Sequence, residues 1–543
     1  MGWIVDQAND RNTGMIRILS SLVAFFSITS LFAQTPAGEI PKLVVGITID
    51  QFRGDYLEMF RHKFGNKGFN RLLNGGLVYS NVYYDFPNLN KASSIATIFT
   101  GANPSYHGIM AEKRYLVESN REISSFFDDN YLGNFTTEKL SPLPIKVSTI
   151  ADELKIASGG QSDIFAFAPD ASQAFASGGH AASGAFWIED ENGKWATSTF
   201  YKGKQPIVDQ HNRSGQSLTY TITSTSWRPA IDVNRYDVFP YTRNKYNFQH
   251  FFVTDKKGDV RLFKQSPYMN KEVNDMAVRL LEAGTLGKRM NPDFLALTFY
   301  AGNYEKALDK NYSVEIQDTY YRLDQELERL LDAIDASVGL KNTLIFVVST
   351  GYFDEQETIP DGMVTSGGDF YPERSQALLN MYLMALYGRE QWIRKYYDRQ
   401  FFFDRKLLED KKIDIREFQQ KAAEFLVQSA GIQDVITSYQ MLHGAYNQDV
   451  QYYRNGFYKG QSGDLFLRLQ PGWRIVDPQS DQNNVRVRNN AVVAPVIFFG
   501  NDIKPQKIER TIEATEIAPS VAYRLRIRAP NAARGEILGE LFR

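Results

Sequence analysis

Few side chains in this chain could do metal or nucleophilic chemistry, and their positions restrict what chemistry is open. Asp50 closes Lys42-Leu-Val-Val-Gly-Ile-Thr-Ile-Asp50, a near-continuous apolar run of the kind that forms a central parallel strand. A carboxylate at the end of such a strand faces the crevice where α/β proteins bind ligands. Glu305, Asp354 and Glu355 follow other strand-like runs and, with Asp50, could give oxygen ligands to Ca²⁺ or Mg²⁺; the plainer reading is solvated loop acids. Zinc prefers imidazole and thiolate, and the chain has 6 His and 0 Cys. His62, His107, His180, His211, His250 and His443 neither follow an Asp directly nor lie four residues after one, so the usual Asp-His and Asp-x-x-x-His pairs are missing. Ser93 and Ser94 could serve as nucleophiles only beside a base, and none is evident in the sequence; the alternative is a pair of polar helix-start residues.

The elements that must position these residues are legible in outline. Strands are expected at 42–50, 77–84, 293–300, 343–349 and 494–500, each apolar and rich in β-branched or aromatic residues. Between them, Ile316, Tyr320, Leu323, Leu327, Leu330 and Ile334 recur in steps of three and four and predict a helix with one buried face. This alternation predicts an α/β fold with a doubly wound, mostly parallel sheet. Two long insertions interrupt it. Residues of about 111–290 carry short alternating runs such as Ala185-Phe-Trp-Ile188, read as antiparallel strands of a cap. Residues of about 355–485 hold a charged stretch, Gln391 to Ser429, read as helical and followed by β-like segments. The abundant Tyr and Phe, 30 and 37, either line a carbohydrate or peptide groove in these insertions or fill their cores.

Gln51-Phe-Arg-Gly-Asp-Tyr56, Phe86-Pro87 and Ile98-Phe-Thr-Gly-Ala-Asn-Pro-Ser-Tyr-His-Gly-Ile109 follow the first strand in order. Asp293-Phe-Leu-Ala-Leu-Thr-Phe-Tyr300, Glu315 to Asp324, Gly463 to Trp473, Ala494 to Gly500 and Thr515-Glu-Ile-Ala-Pro-Ser520 continue the series. Through these motifs the sequence resembles the alkaline-phosphatase superfamily, in particular its type I phosphodiesterase/nucleotide pyrophosphatase group and single-chain periplasmic alkaline phosphatases. The resemblance spans about 41–540 and implies an alkaline-phosphatase-type sheet with large cap insertions at 111–290 and 355–485. It also implies phosphoester hydrolysis with two zinc ions and a Thr or Ser nucleophile.

At the positions that the resemblance assigns to that chemistry, this sequence departs from the pattern. Asp50 is kept, but the nucleophile position is Lys91, an ammonium that repels cations and is no alkoxide substitute. The metal-ligand positions read Asn303 and Ala307, Thr350 and Gly351, and Val493. The phosphate-contacting positions read Glu112, Asp170 and Ser172, acids where a phosphate pocket needs donors or cations. The expectation is therefore a vestigial site with no bound metal, in which Lys91 pairs with Asp50 as the counter-charge that replaces the zinc ions. His107 and His180 read as structural. The main functional reading is an inactive pseudophosphatase with a binding or scaffolding role in the cell envelope, its partner an envelope protein or a glycan. The alternative is a phosphoester hydrolase with an unorthodox site, which would carry two zinc ions.

A formal net charge of −2 over 543 residues gives no basic footprint, and nucleic acid is not an expected partner. Near the N-terminus, Arg17 leads into the apolar run Ile18 to Phe32, with a cleavage point after Ala33, so 15–34 reads as a signal peptide. The polar stretch 1–14 would then lie upstream of a true start at Met15. The expectation is a periplasmic or secreted protein without a membrane span after cleavage. A retained anchor is the alternative, although the run is shorter than the ~20 residues of a spanning helix.

Overall fold

The structure is a computed structural model that describes residues 39–542, apart from 204–205, 216, 240–244, 255–256, 310–312, 354–366, 446, 479–482 and 488–491. Residues 40–541 form one compact unit. The expected signal peptide, with Asp354 and Glu355, lies outside the described residues.

The main sheet has ten strands. In chain order these are β1 (Leu43–Asp50), β2 (Leu77–Tyr83), β3 (Gly133–Asn134), β4 (Ile164–Ala168), β5 (Gly184–Ile188), β6 (Trp195–Ser198), β7 (Asp293–Tyr300), β8 (Thr343–Ser349), β9 (Val496–Gly500) and β10 (Gln506–Glu513). Across the sheet they run β10-β2-β9-β8-β1-β7-β4-β5-β6-β3. The pairs β8–β1, β1–β7, β7–β4, β4–β5 and β2–β10 are parallel, whereas β9 runs against both its neighbours and β6 runs against β5. All eight residues of β1 are buried, as expected for a β-branched strand covered on both faces.

The insertion at 111–290 is more than a cap. Ala185-Phe-Trp-Ile188 belongs to β5, which extends the main sheet parallel to β4 and pairs antiparallel only with β6. The insertion at 355–485 builds its own four-stranded antiparallel sheet from Ile393–Tyr397, Gln400–Phe403, Ile432–Thr437 and Leu465–Leu469. A separate apolar core of Leu379, Trp392, Phe403, Phe418 and Leu467 supports it. The stretch Gln391 to Ser429 therefore begins as a hairpin and turns helical only from Arg405.

Four helices set the site. These are α1 (Lys91–Thr100), α2 (Ala171–Gly178), α3 (Val260–Lys264) and α4 (Val314–Ser337). In α4 the predicted stripe Ile316, Tyr320, Leu323, Leu327, Leu330 and Ile334 is fully buried, and each such side chain contributes about 1.5–3 kcal/mol of burial. The Ser313 hydroxyl caps that helix, accepting from the Ile316 amide at 3.1 Å. The Asn90 side chain likewise caps α1, accepting from the amides of Ala92 and Ser93 at 3.1 and 3.0 Å.

Candidate functional site

The three central strands end side by side. Asp50 of β1 is level with Tyr300 of β7, and Ile49 is level with Ser349 of β8. Their C-terminal ends open into a cavity of about 300 Å³ whose lining includes Asp50, Lys91, Glu112, Asp170, Lys264 and Asn303. Asp50 and Asn303 are each 4 % exposed. The Thr350 hydroxyl donates to Asp50 Oδ1 at 2.9 Å and accepts from the Gln51 amide at 3.1 Å. A metal-ligand position of the resemblance thus acts here as a hydroxyl bridge.

Lys91 is the first residue of α1, at the positive end of the helix, where a cation is disfavoured. Its ammonium is held by Asp170 Oδ2 at 2.5 Å and Glu112 Oε1 at 3.1 Å. Asp170 precedes α2 as its N-cap, where a carboxylate is favoured. Its other oxygen accepts from Lys264 of α3 at 2.7 Å, and Lys264 also reaches Asp190 at 2.5 Å. Glu112 closes the group by accepting from the Ser172 hydroxyl at 3.1 Å. The result is a ladder of alternating charge, Glu112, Lys91, Asp170, Lys264 and Asp190, across three helices. Burial disfavours the charges of Lys91, Asp170 and Lys264, but neighbours prevail. Lys91 is raised well above its ordinary value by Asp170, Glu112 and Asp50 in that order, and Asp170 is held well below its own by Lys264 and Lys91.

The expected Lys91–Asp50 pair is thereby corrected: the ammonium is in contact with Asp170 and Glu112, and Asp50 adds a further attraction. Asp170 and Glu112 are closer at hand because α2 and the chain after His107 converge on the start of α1. The structure brings together Lys91, Glu112, Asp170 and Ser172, as their assigned roles require. Lys264 and Asp190, which complete the ladder, and Arg261, which lines the same cavity and pairs with Glu305, carry no sequence signal beyond being charges in an irregular insertion. That pairing also takes Glu305 into an ion pair of its own.

The remaining positions are filled in different ways. Gly351 has φ +77°, and a Cβ there would overlap the ring of Tyr84, whose hydroxyl donates to the Ser349 carbonyl at 2.5 Å. Ala307 is packed in the apolar core. Val493 is 59 % exposed, and its carbonyl accepts from the Gly54 amide at 2.7 Å. His107 is buried against Thr97 Oγ1 at 3.1 Å, and burial pushes its imidazole down to about 3. His180 bridges Asp152 and the Ile145 carbonyl, both at 3.0 Å. Both histidines are thus built into the scaffold. The Ser94 hydroxyl is fully buried among α1 and its neighbours, without access to the cavity's reacting space.

The family described as Type I phosphodiesterase / nucleotide pyrophosphatase matches residues 44–491. The chain belongs to that family. Within it, the chain is similar to alkaline phosphatase PhoV of Synechococcus elongatus, 28% identical over 95% of both chains. It is also similar to alkaline phosphatase PafA of Elizabethkingia meningoseptica, 26% identical over 94% of this chain and 96% of that one. The crystal structure of wild-type PafA superimposes with a TM-score of 0.80 at 25% identity, covering 93% of this chain and 99% of that chain. The membership places the chain in the alkaline-phosphatase superfamily and accounts for the sheet, the position of α1 and the cavity at the strand ends.

Two zinc ions, which the family implies, do not fit the side chains present. Where their ligands are expected stand an amide, two small residues, a hydroxyl already bridging Asp50 and an exposed valine, and Tyr84 packs where a side chain from position 351 would begin. An ammonium paired to two carboxylates stands at the position that the resemblance assigns to the nucleophile. Among the described residues, no group of three or more His, Asp or Glu is placed to hold a metal ion.

Proposed function

We propose that this protein is a pseudophosphatase: an alkaline-phosphatase fold exported to the cell envelope, where it acts by binding rather than by hydrolysis. The observation that carries the reading is Lys91, held by Asp170 at 2.5 Å in the nucleophile position. Hydrolysis by this fold requires metal to activate the nucleophile and to stabilise developing charge. A lysine kept protonated by two neighbouring carboxylates offers neither function. Export rests on the apolar run before Gln34 and on the periplasmic resemblance; among the described residues no helix is long and apolar enough to cross a membrane.

A second reading draws more directly on the comparisons. The relatives carry the name alkaline phosphatase, and the cavity keeps three cations, Lys91, Arg261 and Lys264, of the kind that bind phosphoryl oxygens. In that reading the chain hydrolyses phosphoesters through an unorthodox site.

Metal analysis of the purified protein, with a panel of phosphomonoesters and phosphodiesters, separates the two. The pseudophosphatase should carry no stoichiometric zinc and show no turnover on the panel. About two zinc ions per chain with chelator-sensitive turnover would overturn it. Metal-independent turnover that disappears in Lys91→Ala would establish the second reading.

A further inference from the structure

A second, larger cavity lies where the insertion at 355–485 meets the main body. It has a volume of about 670 Å³ and is lined from the body side by Asn88, Asn90, Glu112 and Lys113, and from the insertion by the turn of the Ile393–Phe403 hairpin with the start of the helix Pro372–Tyr387. That volume is within the range of small-molecule sites.

Two groups in its wall are buried without the partners that burial demands. Tyr396 is 6 % exposed, and its hydroxyl proton finds no acceptor among the described residues. Arg399 Nε is buried and also unpartnered. Each such group costs about 1–3 kcal/mol if left unsatisfied and so calls for a partner, which a bound molecule could supply. The backbone holds them there under strain. Asp398 and Arg399 take φ of +48° and +59° at the tip of the hairpin, the two left-handed residues of a tight turn that Gly and Asn normally supply.

The chemistry of the wall narrows the ligand. Both orphaned groups are donors, so they call for oxygen acceptors, and a guanidinium matches a planar carboxylate. The rest of the lining is dominated by acceptors and amides, with Glu122, Glu373 and Asp477 beside Gln376, Asn380 and Gln391. These suit hydroxyl groups. Five carboxylates against three cations in the lining disfavour a dianionic phosphate and tolerate a monoanion.

We propose that this groove binds a carboxylate-bearing saccharide, its carboxylate taken by Arg399 and Tyr396 and its hydroxyls by the acids and amides opposite. The proposal names a site that meets the strand-end cavity at Glu112, and its recognition by Arg399 and Tyr396 does not depend on whether that cavity is active.

Titration calorimetry on the full protein with short oligogalacturonates tests it, alongside neutral glucose oligomers, an oligo-aspartate peptide and inorganic phosphate. Saturable binding of the acidic saccharide alone is expected, weakened about tenfold or more by Arg399→Gln and by Tyr396→Phe. Tyr396→Phe removes a hydroxyl whose proton has no acceptor among the described residues and whose oxygen faces only the Arg399 backbone, so its melting temperature should change little, which separates lost binding from lost folding. No saturable saccharide binding overturns the proposal. So does equal binding of the neutral oligomers, a preference for the peptide or phosphate, or acidic-saccharide binding untouched by both variants.

Discussion

The two polar cavities share Glu112 in their walls and are built on opposite principles. In the smaller, at the strand ends, the charges alternate and meet: Lys91 with Asp170 and Glu112, Lys264 with Asp170 and Asp190. In the larger, below the second insertion, the Tyr396 hydroxyl proton and Arg399 Nε are buried without a hydrogen-bond acceptor among the described residues. A catalytic centre that had simply lost its metal ligands would leave uncompensated carboxylate, because buried charge without a counter-charge is costly. Asp170 instead holds two lysines. The strand-end cavity thus has the electrostatics of a structural joint, and the groove has the unmet valence of a binding site.

The largest effect that could break this contrast is at Asp170, which joins both lysines. Asp170→Ala should destabilise the fold by about 3 kcal/mol, because it leaves two largely buried ammonium groups facing each other. Urea denaturation would measure the loss. A cost below about 1 kcal/mol would put the ladder among solvent-screened surface pairs and remove its claim to be a joint. In the opposite cavity Arg399→Gln should change stability far less, since it breaks no ion pair among the described residues.

A double-mutant cycle sharpens the ladder's internal order. Coupling between Lys91 and Asp170 should exceed coupling between Lys91 and Asp50, because Asp170 is in hydrogen-bond contact at 2.5 Å and outranks Asp50 in its attraction. We expect about 2 kcal/mol for the first and under about 1 kcal/mol for the second, with Asp50 retained mainly by the Thr350 hydroxyl. Equal couplings would mean that Asp50 is the true counter-charge of the lysine.

How much of this was legible in the sequence follows from the kind of signal each part leaves. The strands β7 and β8 occupy the predicted residues, and β1 and β2 differ by a residue at one end, because long apolar runs between helical stretches admit little else. The shorter β4 and β5 did not stand out as sheet members, since a run of five apolar residues does not reveal which sheet it joins. The hairpin at 393–403 was hidden by its charged surroundings, although Tyr396-Tyr-Asp-Arg-Gln-Phe-Phe-Phe403 carries the aromatic density of a strand pair around a turn. The resemblance pointed to Lys91, Glu112, Asp170 and Ser172, and the structure brings them together. It could not locate Lys264 or Asp190, whose partner is fixed only by how the insertion folds back. Nor could it foresee that the Tyr84 ring would occupy the space beside Gly351.

The smallest effect concerns the two scaffold histidines, which should pull the pH dependence of stability in opposite directions. Burial depresses His107 to about 3, so its contribution is full above the unfolded value of about 6.5 and is lost as pH falls towards 3. His180 is raised: burial opposes its charge, but the hydrogen bond and charge of Asp152 prevail. Its contribution is therefore full below about pH 6.5 and is lost as pH rises through its raised folded value. Denaturation midpoints across pH 5 to 9 should show His180→Asn closer to the parent at alkaline pH than at acid pH, because the interaction it removes has already faded there. The same gap at both ends would mean that the Asp152 contact holds a neutral ring, and the second apparent ion pair of the scaffold would reduce to an ordinary hydrogen bond.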